Sequence, residues 1–168
     1  MKKLLLLLLF ILIGCSEPEP LNYGLLVERD GVHYRKDTNE IYSGPVFSLY
    51  DNGQLQQEVT FKDGKLDGPY KLYKENGQLQ QEGTYKDGKP DGLFKTYYEN
   101  GQLWTEGTYK DSKLDGPYKV YNDNGQLQQE STFKDGKLDG PFKVYNDNGQ
   151  LQQETTYKDG KVIESKTY

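Results

Sequence analysis

A segment of 24 residues, GPVFSLYDNGQLQQEVTFKDGKLD from Gly44, recurs without insertion from Gly68, Gly92, Gly116 and Gly140. No other property restricts the fold as much, because a constant period admits only architectures built from one repeated supersecondary unit. Each unit holds two turn signals. Asn-Gly stands at 52–53, 76–77, 100–101, 124–125 and 148–149, and Asp-Gly at 63–64, 87–88, 135–136 and 159–160, with Asp111-Ser112 in the remaining place. Both dipeptides suit the positive φ angles of two-residue hairpins. No helical period separates them, so the predicted fold is all-β: an elongated antiparallel meander of stacked 24-residue hairpin repeats, two strands to a unit.

The turns also set a register. A two-residue hairpin at Asn76-Gly77 opposes Lys74 to Leu79, Leu72 to Gln81, Lys71 to Glu82 and Tyr70 to Gly83. Opposed residues share a face. One face then holds Tyr70, Leu72, Leu79, Gly83 and Tyr85, and the other Lys71, Tyr73, Gln80, Glu82, Thr84 and Lys86. The Lys71–Glu82 pair recurs as Lys95–Glu106, Lys119–Glu130 and Lys143–Glu154. Tyr70–Gly83 recurs as Phe94–Gly107, Tyr118–Ser131 and Phe142–Thr155, a ring against a small residue, while Val46 faces Val59. A slip of one residue loses both patterns. A bulge near Gly83 is where the register beyond, and the place of Tyr85, would change. The apolar face is too thin for a flat sheet to bury, so either its rings pack over neighbouring glycines or a partner covers it.

Residues 21–43 fit the repeat poorly and are read as a divergent N-terminal cap, with a hairpin about Asp30-Gly31. The five repeats occupy 44–163 and a tail follows at 164–168. Residues 1–14 read as a leader: Met1-Lys2-Lys3 precedes an apolar run from Leu4 to Ile13 that is too short to span a bilayer. Leu12-Ile13-Gly14-Cys15 resembles the lipobox of bacterial lipoproteins, which implies a lipoprotein signal peptide and acylation of Cys15. Acyl chains contribute about 0.8 kcal/mol per buried methylene to membrane attachment. Residues 15–20 then form the acylated cysteine and a short tether through Glu17-Pro18-Glu19-Pro20. Ser16 stands where the inner-membrane retention signal of such proteins has Asp, so the expected location is the bacterial cell envelope, lipid-anchored at the outer membrane.

Composition narrows the chemistry. The chain has one His, His33, and one Cys, and its formal net charge of −5 becomes more acidic once the two lysines of the leader are removed. Phosphate backbones call for an excess of Lys and Arg, so no nucleic-acid partner is expected. A triad would have to use His33, and a zinc site lacks ligands, so the chain is read as non-enzymatic, with no cofactor and no metal. Asn122-Asp123-Asn124-Gly125 and Asn146-Asp147-Asn148-Gly149 invite a calcium reading. An EF-hand would put Val120 at its first ligand position and Ser131 at its twelfth, so turn chemistry explains these segments better. Glu58, Glu82, Glu106, Glu130 and Glu154 form a column in identical surroundings. Paired catalytic carboxylates need different ones, so a salt ladder is preferred.

The candidate binding surface is the tyrosine column Tyr73, Tyr97, Tyr121 and Tyr145, flanked by Gln80, Thr105, Gln128 and the Lys/Glu pairs. Tyr98 and Trp104 join it as departures of the middle unit from the repeat. Aromatic rings beside amides bind peptide or stack on sugars, while tyrosines also simply suit exposed strands.

The unit GPYKLYKENGQLQQEGTYKDGKLD resembles the bacterial variant of the MORN repeat: glycine and an aromatic, Tyr, Asn-Gly-Gln-Leu, Glu, an aromatic, then Asp-Gly-Lys. Chains built this way are similar to those labelled antitoxins of the YwqK family. The resemblance implies stacked β-hairpins and a scaffold for a protein partner. The preferred function is an envelope lipoprotein that binds protein, with membrane contact through its lipid anchor. The alternatives are an antitoxin or immunity-type protein that neutralises a toxin by direct binding, and a glycan-binding or envelope-modifying protein. The lipobox departs from a cytoplasmic antitoxin.

Overall fold

The computed structural model describes residues 18–168; the leader 1–14, Cys15 and the start of the tether lie outside the described residues. One short strand, a single helical turn and a hairpin precede the repeats. They are β1 (Leu21–Asn22), a single 3-10 turn at Tyr23–Leu25, then β2 (Leu26–Arg29) and β3 (Val32–Arg35), which pair with each other around Asp30-Gly31. The repeats supply β4 (Gly44–Leu49), β5 (Leu55–Lys62), β6 (Lys65–Tyr73), β7 (Leu79–Lys86), β8 (Lys89–Pro90), β9 (Gly92–Tyr97), β10 (Leu103–Lys110), β11 (Lys113–Tyr121), β12 (Leu127–Lys134), β13 (Lys137–Tyr145), β14 (Leu151–Lys158) and β15 (Lys161–Thr167).

All of these except β2 and β3 join one 13-stranded sheet that follows sequence order from β4 to β15, with the short β8 pairing only β7. The antiparallel meander predicted from the period is therefore the fold. Two features extend it. β1 pairs in parallel with β4, Leu21 beside Val46, which makes the sheet mixed at its first edge. The expected tail also belongs to the sheet, because β15 runs through to Thr167 and pairs with β14.

The two turn signals build different turns. At Asp-Gly both residues are left-handed, Asp63 at φ 49° and Gly64 at φ 76°, as a two-residue hairpin requires. Asp111-Ser112 keeps the same form with the serine at φ 69°. At Asn76-Gly77 only the glycine is left-handed, at φ 82°. Its N–H donates to the Lys74 carbonyl at 2.8 Å, and the Lys74 N–H donates to the Gln78 carbonyl at 2.8 Å. This is a three-residue loop, a turn closed by a left-handed glycine. The longer loop pairs Tyr73, not Lys74, with Leu79, and corrects the expected Lys74–Leu79 pair. A bulge at Gln80 then cancels the offset, so Leu72 faces Gln81, Lys71 faces Glu82 and Tyr70 faces Gly83.

A second irregularity lies beyond each Asp-Gly hairpin. Phe61 faces Leu66 but Val59 faces Tyr70, so Thr60 stands opposite three residues, Asp67, Gly68 and Pro69. In the next repeat the same change falls at Thr84, beside Gly83 as expected, since Glu82 faces Lys95 but Tyr85 faces Pro90, and Tyr85 nonetheless stays among the rings, 5.2 Å from Tyr70. The Asp-Gly turns stack along one long edge. The second turn residue donates its N–H to a carbonyl 22 positions earlier, Gly64 to Tyr42, Gly88 to Leu66, Ser112 to Pro90, Gly136 to Leu114 and Gly160 to Leu138, at 2.7 to 2.9 Å.

The apolar face covers itself by alternating large and small residues across the strands. A Cβ on Gly83 would lie 2.5 Å from Cδ1 of Phe94, and one on Gly107 2.6 Å from Cδ2 of Tyr118, so the rings rest directly on those backbones. Ser131, opposite Phe142, and Thr155, opposite Ser165, stand in the places of those glycines and are buried. Rings from successive strands meet edge to face, Phe94–Tyr109 at 5.3 Å and Tyr118–Phe133 at 5.9 Å. Among the described residues a second layer is found only at the first edge. There the cap lays Leu26 and Tyr42 over Val46, Val59 and Phe61, and Val46 keeps 1% of its surface exposed.

Candidate binding surface

Strand alternation puts the charged residues of every repeat on the face opposite the rings. Their register makes one unbroken row across the sheet: Glu58, Lys71, Glu82, Lys95, Glu106, Lys119, Glu130, Lys143, Glu154 and Lys166, each opposite the next. The row has the alternating signs of the expected salt ladder, and two of its opposed pairs close as ion pairs. Toward the far end the ammonium groups close on their partners, Lys119 at 3.4 Å from Glu106 and Lys143 at 3.2 Å from Glu130.

The tyrosine column is tied into this row. Tyr73 donates to Glu58 at 2.7 Å, Tyr97 to Glu82 at 2.7 Å, Tyr121 to Glu106 at 2.9 Å and Tyr145 to Glu130 at 2.7 Å. Tyr168 repeats the bond to Glu154 at 3.3 Å. Each tyrosine lies two residues past the lysine that faces the glutamate, the diagonal place that a long ring can bridge. Partial burial, then the adjacent glutamate, pushes the phenols of Tyr73, Tyr121 and Tyr145 up to about 12, and that of Tyr97 upward for the same reasons. In return the Tyr145 hydroxyl, followed by Lys143, holds the Glu130 carboxyl below its ordinary value. The four hydroxyls expected to face a partner are therefore committed to joining neighbouring strands.

Tyr98 and Trp104 are placed differently. Trp104 occupies the bulge that Gln56, Gln80, Gln128 and Gln152 hold elsewhere, and the bulge turns it outward until 47% of it is exposed. Tyr98 backs it, ring centroids 5.7 Å apart, and is fixed by its hydroxyl, which donates to the Tyr121 carbonyl at 2.7 Å. The indole is thus an exposed apolar side chain on a rigid support, at the centre of the array and among amides. One repeat away, the equivalent loop carries Lys74, which pairs with Glu99 at 2.8 Å. An open hollow of about 410 Å³ lies there, lined by Tyr50, Lys74, Glu75, Asn76, Gln80 and Glu99.

The remaining candidates have structural partners. His33 joins the cap to the first repeat. Its Nδ1–H donates to the Gly64 carbonyl at 3.2 Å, and its Nε2 shares a hydrogen bond with the Tyr23 hydroxyl at 2.9 Å. In the Asn122–Gly125 loop the Asn122 and Asn124 side chains both accept from the Gln126 N–H, at 2.9 and 3.0 Å, which is turn chemistry. Among the described residues no group of three or more His, Cys, Asp or Glu is arranged to hold a metal ion, and no helix is long and apolar enough to cross a membrane. Cys15, the expected acylation site, lies outside the described residues.

Comparison with known proteins bears on the repeats. Five consecutive segments, 42–63, 66–87, 90–111, 114–135 and 138–159, match the family model described as MORN repeat variant. No curated protein matches the chain. Among solved structures, one described as "Crystal structure of GtfA/B complex bound to UDP and GlcNAc" aligns over 76% of this chain and 22% of that one, at 11% identity and a TM-score of 0.26. A likeness that slight carries no argument.

Proposed function

Because the chain belongs to the MORN repeat variant family, whose repeats mediate protein or membrane binding, we propose that it is a non-enzymatic scaffold that binds a protein partner around Trp104 and Tyr98. One observation carries this reading: the single Trp of the chain stands half exposed on a fixed ring, where four other repeats place glutamine. Binding energy at protein interfaces concentrates on such aromatic anchors. The tyrosine column has a different part, stiffening the sheet that presents the anchor. The leader and its cysteine support a location in the bacterial envelope, with the sheet held at the outer membrane by an acylated Cys15.

Trp104→Gln tests the binding reading, because it installs the residue the other repeats already carry and so spares the fold. Chemical crosslinking in intact envelopes, capture of the chain and mass spectrometry of the attached proteins should show a partner held by the wild-type chain and at least about tenfold depleted for Trp104→Gln, a loss of 1.4 kcal/mol or more. Equal capture by both chains rejects the anchor. A parallel fractionation of Cys15→Ser should find the chain released from the membrane, and retention there rejects the lipid anchor.

A further inference from the structure

The last strand presents a second interaction surface, independent of Trp104. All seven residues of β15 are exposed, and among the described residues no strand pairs with its outer edge. The Tyr168 N–H donates to the Gln152 carbonyl at 2.9 Å. Main-chain groups of alternate residues point to opposite sides in an antiparallel pair, so Glu164 and Lys166 turn theirs toward β14 while Ser165 and Thr167 turn theirs outward. Such an edge is a template for another strand unless proline, a bulge or repelling charge blunts it. From 164 to 167 β15 has no proline and no bulge, since its register shift lies nearer Val162, between Thr156 and Tyr157 on the facing strand. β13, the corresponding strand one repeat earlier, carries Gly140-Pro141.

The side chains on this edge are self-complementary. Glu164 and Lys166 stand on either side of Ser165, share the polar face and pair with each other at 3.1 Å while both remain more than half exposed. An antiparallel copy with Ser165 opposite Ser165 exchanges two main-chain bonds at the centre. It also sets Glu164 of each chain against Lys166 of the other. The charge row then continues across the junction, because Lys166, already opposite Glu154, acquires a glutamate on its free side. We propose that β15 pairs antiparallel with β15 of a second copy of this chain, about a two-fold axis through Ser165. One strand pair buries less than the ~1,000 Å² of stable complexes, so the dimer is weak and depends on concentration.

Disulfide trapping tests it on the full-length chain in detergent, with Cys15 replaced by Ser so that an introduced thiol stands alone. Residues opposite each other in an antiparallel pair lie within disulfide reach, so Ser165→Cys should give a cross-linked dimer under mild oxidant. Val162→Cys, also exposed but far from its own copy in this register, should not. Adding Glu164→Lys to Ser165→Cys opposes lysine to lysine twice and should cut the yield about tenfold or more, with unchanged circular dichroism as the check that the sheet persists. Cross-linking of Val162→Cys to the same extent would mean random collision. That result, the absence of dimer from Ser165→Cys, or full yield with Glu164→Lys overturns the proposal.

Discussion

The two ends of the sheet are built from related repeats and yet hold together by different means. At the first edge the cap forms a second layer, and Leu26, Tyr42, Val46, Val59 and Phe61 make a small apolar core. At the last edge β15 is exposed along its whole length, with Val162 and Ile163 among the most exposed apolar residues. Between them each repeat leans on the next through rings over small residues, the Glu/Lys row and the tyrosine bonds. A repeat protein has no need of one central core, but it does need its ends managed. Among the described residues one end is closed by chain, and the other presents main chain and matched charges.

Equivalent glycines of the stacked turns give the sharpest contrast. Gly64 and Gly160 are both left-handed, at φ 76° and 80°. A Cβ on Gly64 would lie 2.4 Å from Cγ1 of Val32 and 3.0 Å from the His33 backbone, whereas one on Gly160 meets nothing nearer than Lys137 Cβ at 3.9 Å. The Gly64 carbonyl also receives both the N–H and Nδ1 of His33. Gly160→Ala should therefore cost only the left-handed strain, about 1–2 kcal/mol. Gly64→Ala should add overpacking for a total of about 3–4 kcal/mol, and should expose residues 21–43 to protease. Urea unfolding of both variants measures the gap, and equal losses would mean that the cap does not dock as described.

The tyrosine bonds belong to the repeats rather than the cap, and alkali separates the two. A phenol raised from 10.0 to about 12 by folding, as at Tyr73, Tyr121 and Tyr145, favours the folded state while it is protonated. That contribution is whole below pH 10 and is lost as pH rises toward 12. Urea midpoints should fall across this window. Lysines titrate there too, so the comparison is a chain with Tyr73, Tyr97, Tyr121 and Tyr145 all changed to Phe. It should be less stable at pH 8, by on the order of 2 kcal/mol, and should fall less steeply from pH 10 to 12. Parallel decline of the two chains would remove the hydroxyls from the account.

Much of this architecture was legible because the repeat checks itself. Lys71–Glu82 and Tyr70–Gly83 are the same inference made four times over, and both pairs stand in the sheet. At Asn76-Gly77 the two-residue expectation fails because the dipeptide serves two turn types, and only the φ of Asn76 separates them. The compensating bulge at Gln80 was invisible for a related reason: it cancels the loop's extra residue and leaves the distant pairs unchanged. Within the candidate surface, the bonds from tyrosine to glutamate follow from the register by the diagonal rule and needed no further signal. The parallel β1 and the docking of His33 on Gly64 join segments outside the period, where no repetition exposes an error. Trp104 was visible as a departure from the repeat, but its outward turn depends on the hidden bulge.

The smallest effect expected lies in the middle of the array, where neither end acts. Ser112 takes φ 69° in a turn whose other copies have glycine, and donates its N–H to Pro90 at 2.9 Å as they do to their own partners. Ser112→Gly removes the left-handed strain of a side chain but lets the unfolded chain roam more widely, and the two terms oppose each other. Strain in the left-handed region is about 1–2 kcal/mol and the entropy term about 0.5–1 kcal/mol, so strain wins and the net gain is about 0.5–1 kcal/mol. A thermal melt with the urea midpoint resolves that gain. It also grades the comparison of the ends: if relief at an interior turn raises the single unfolding transition, the sheet melts as one unit from cap to β15. If it stabilises only part of the transition, the capped and uncapped ends unfold separately.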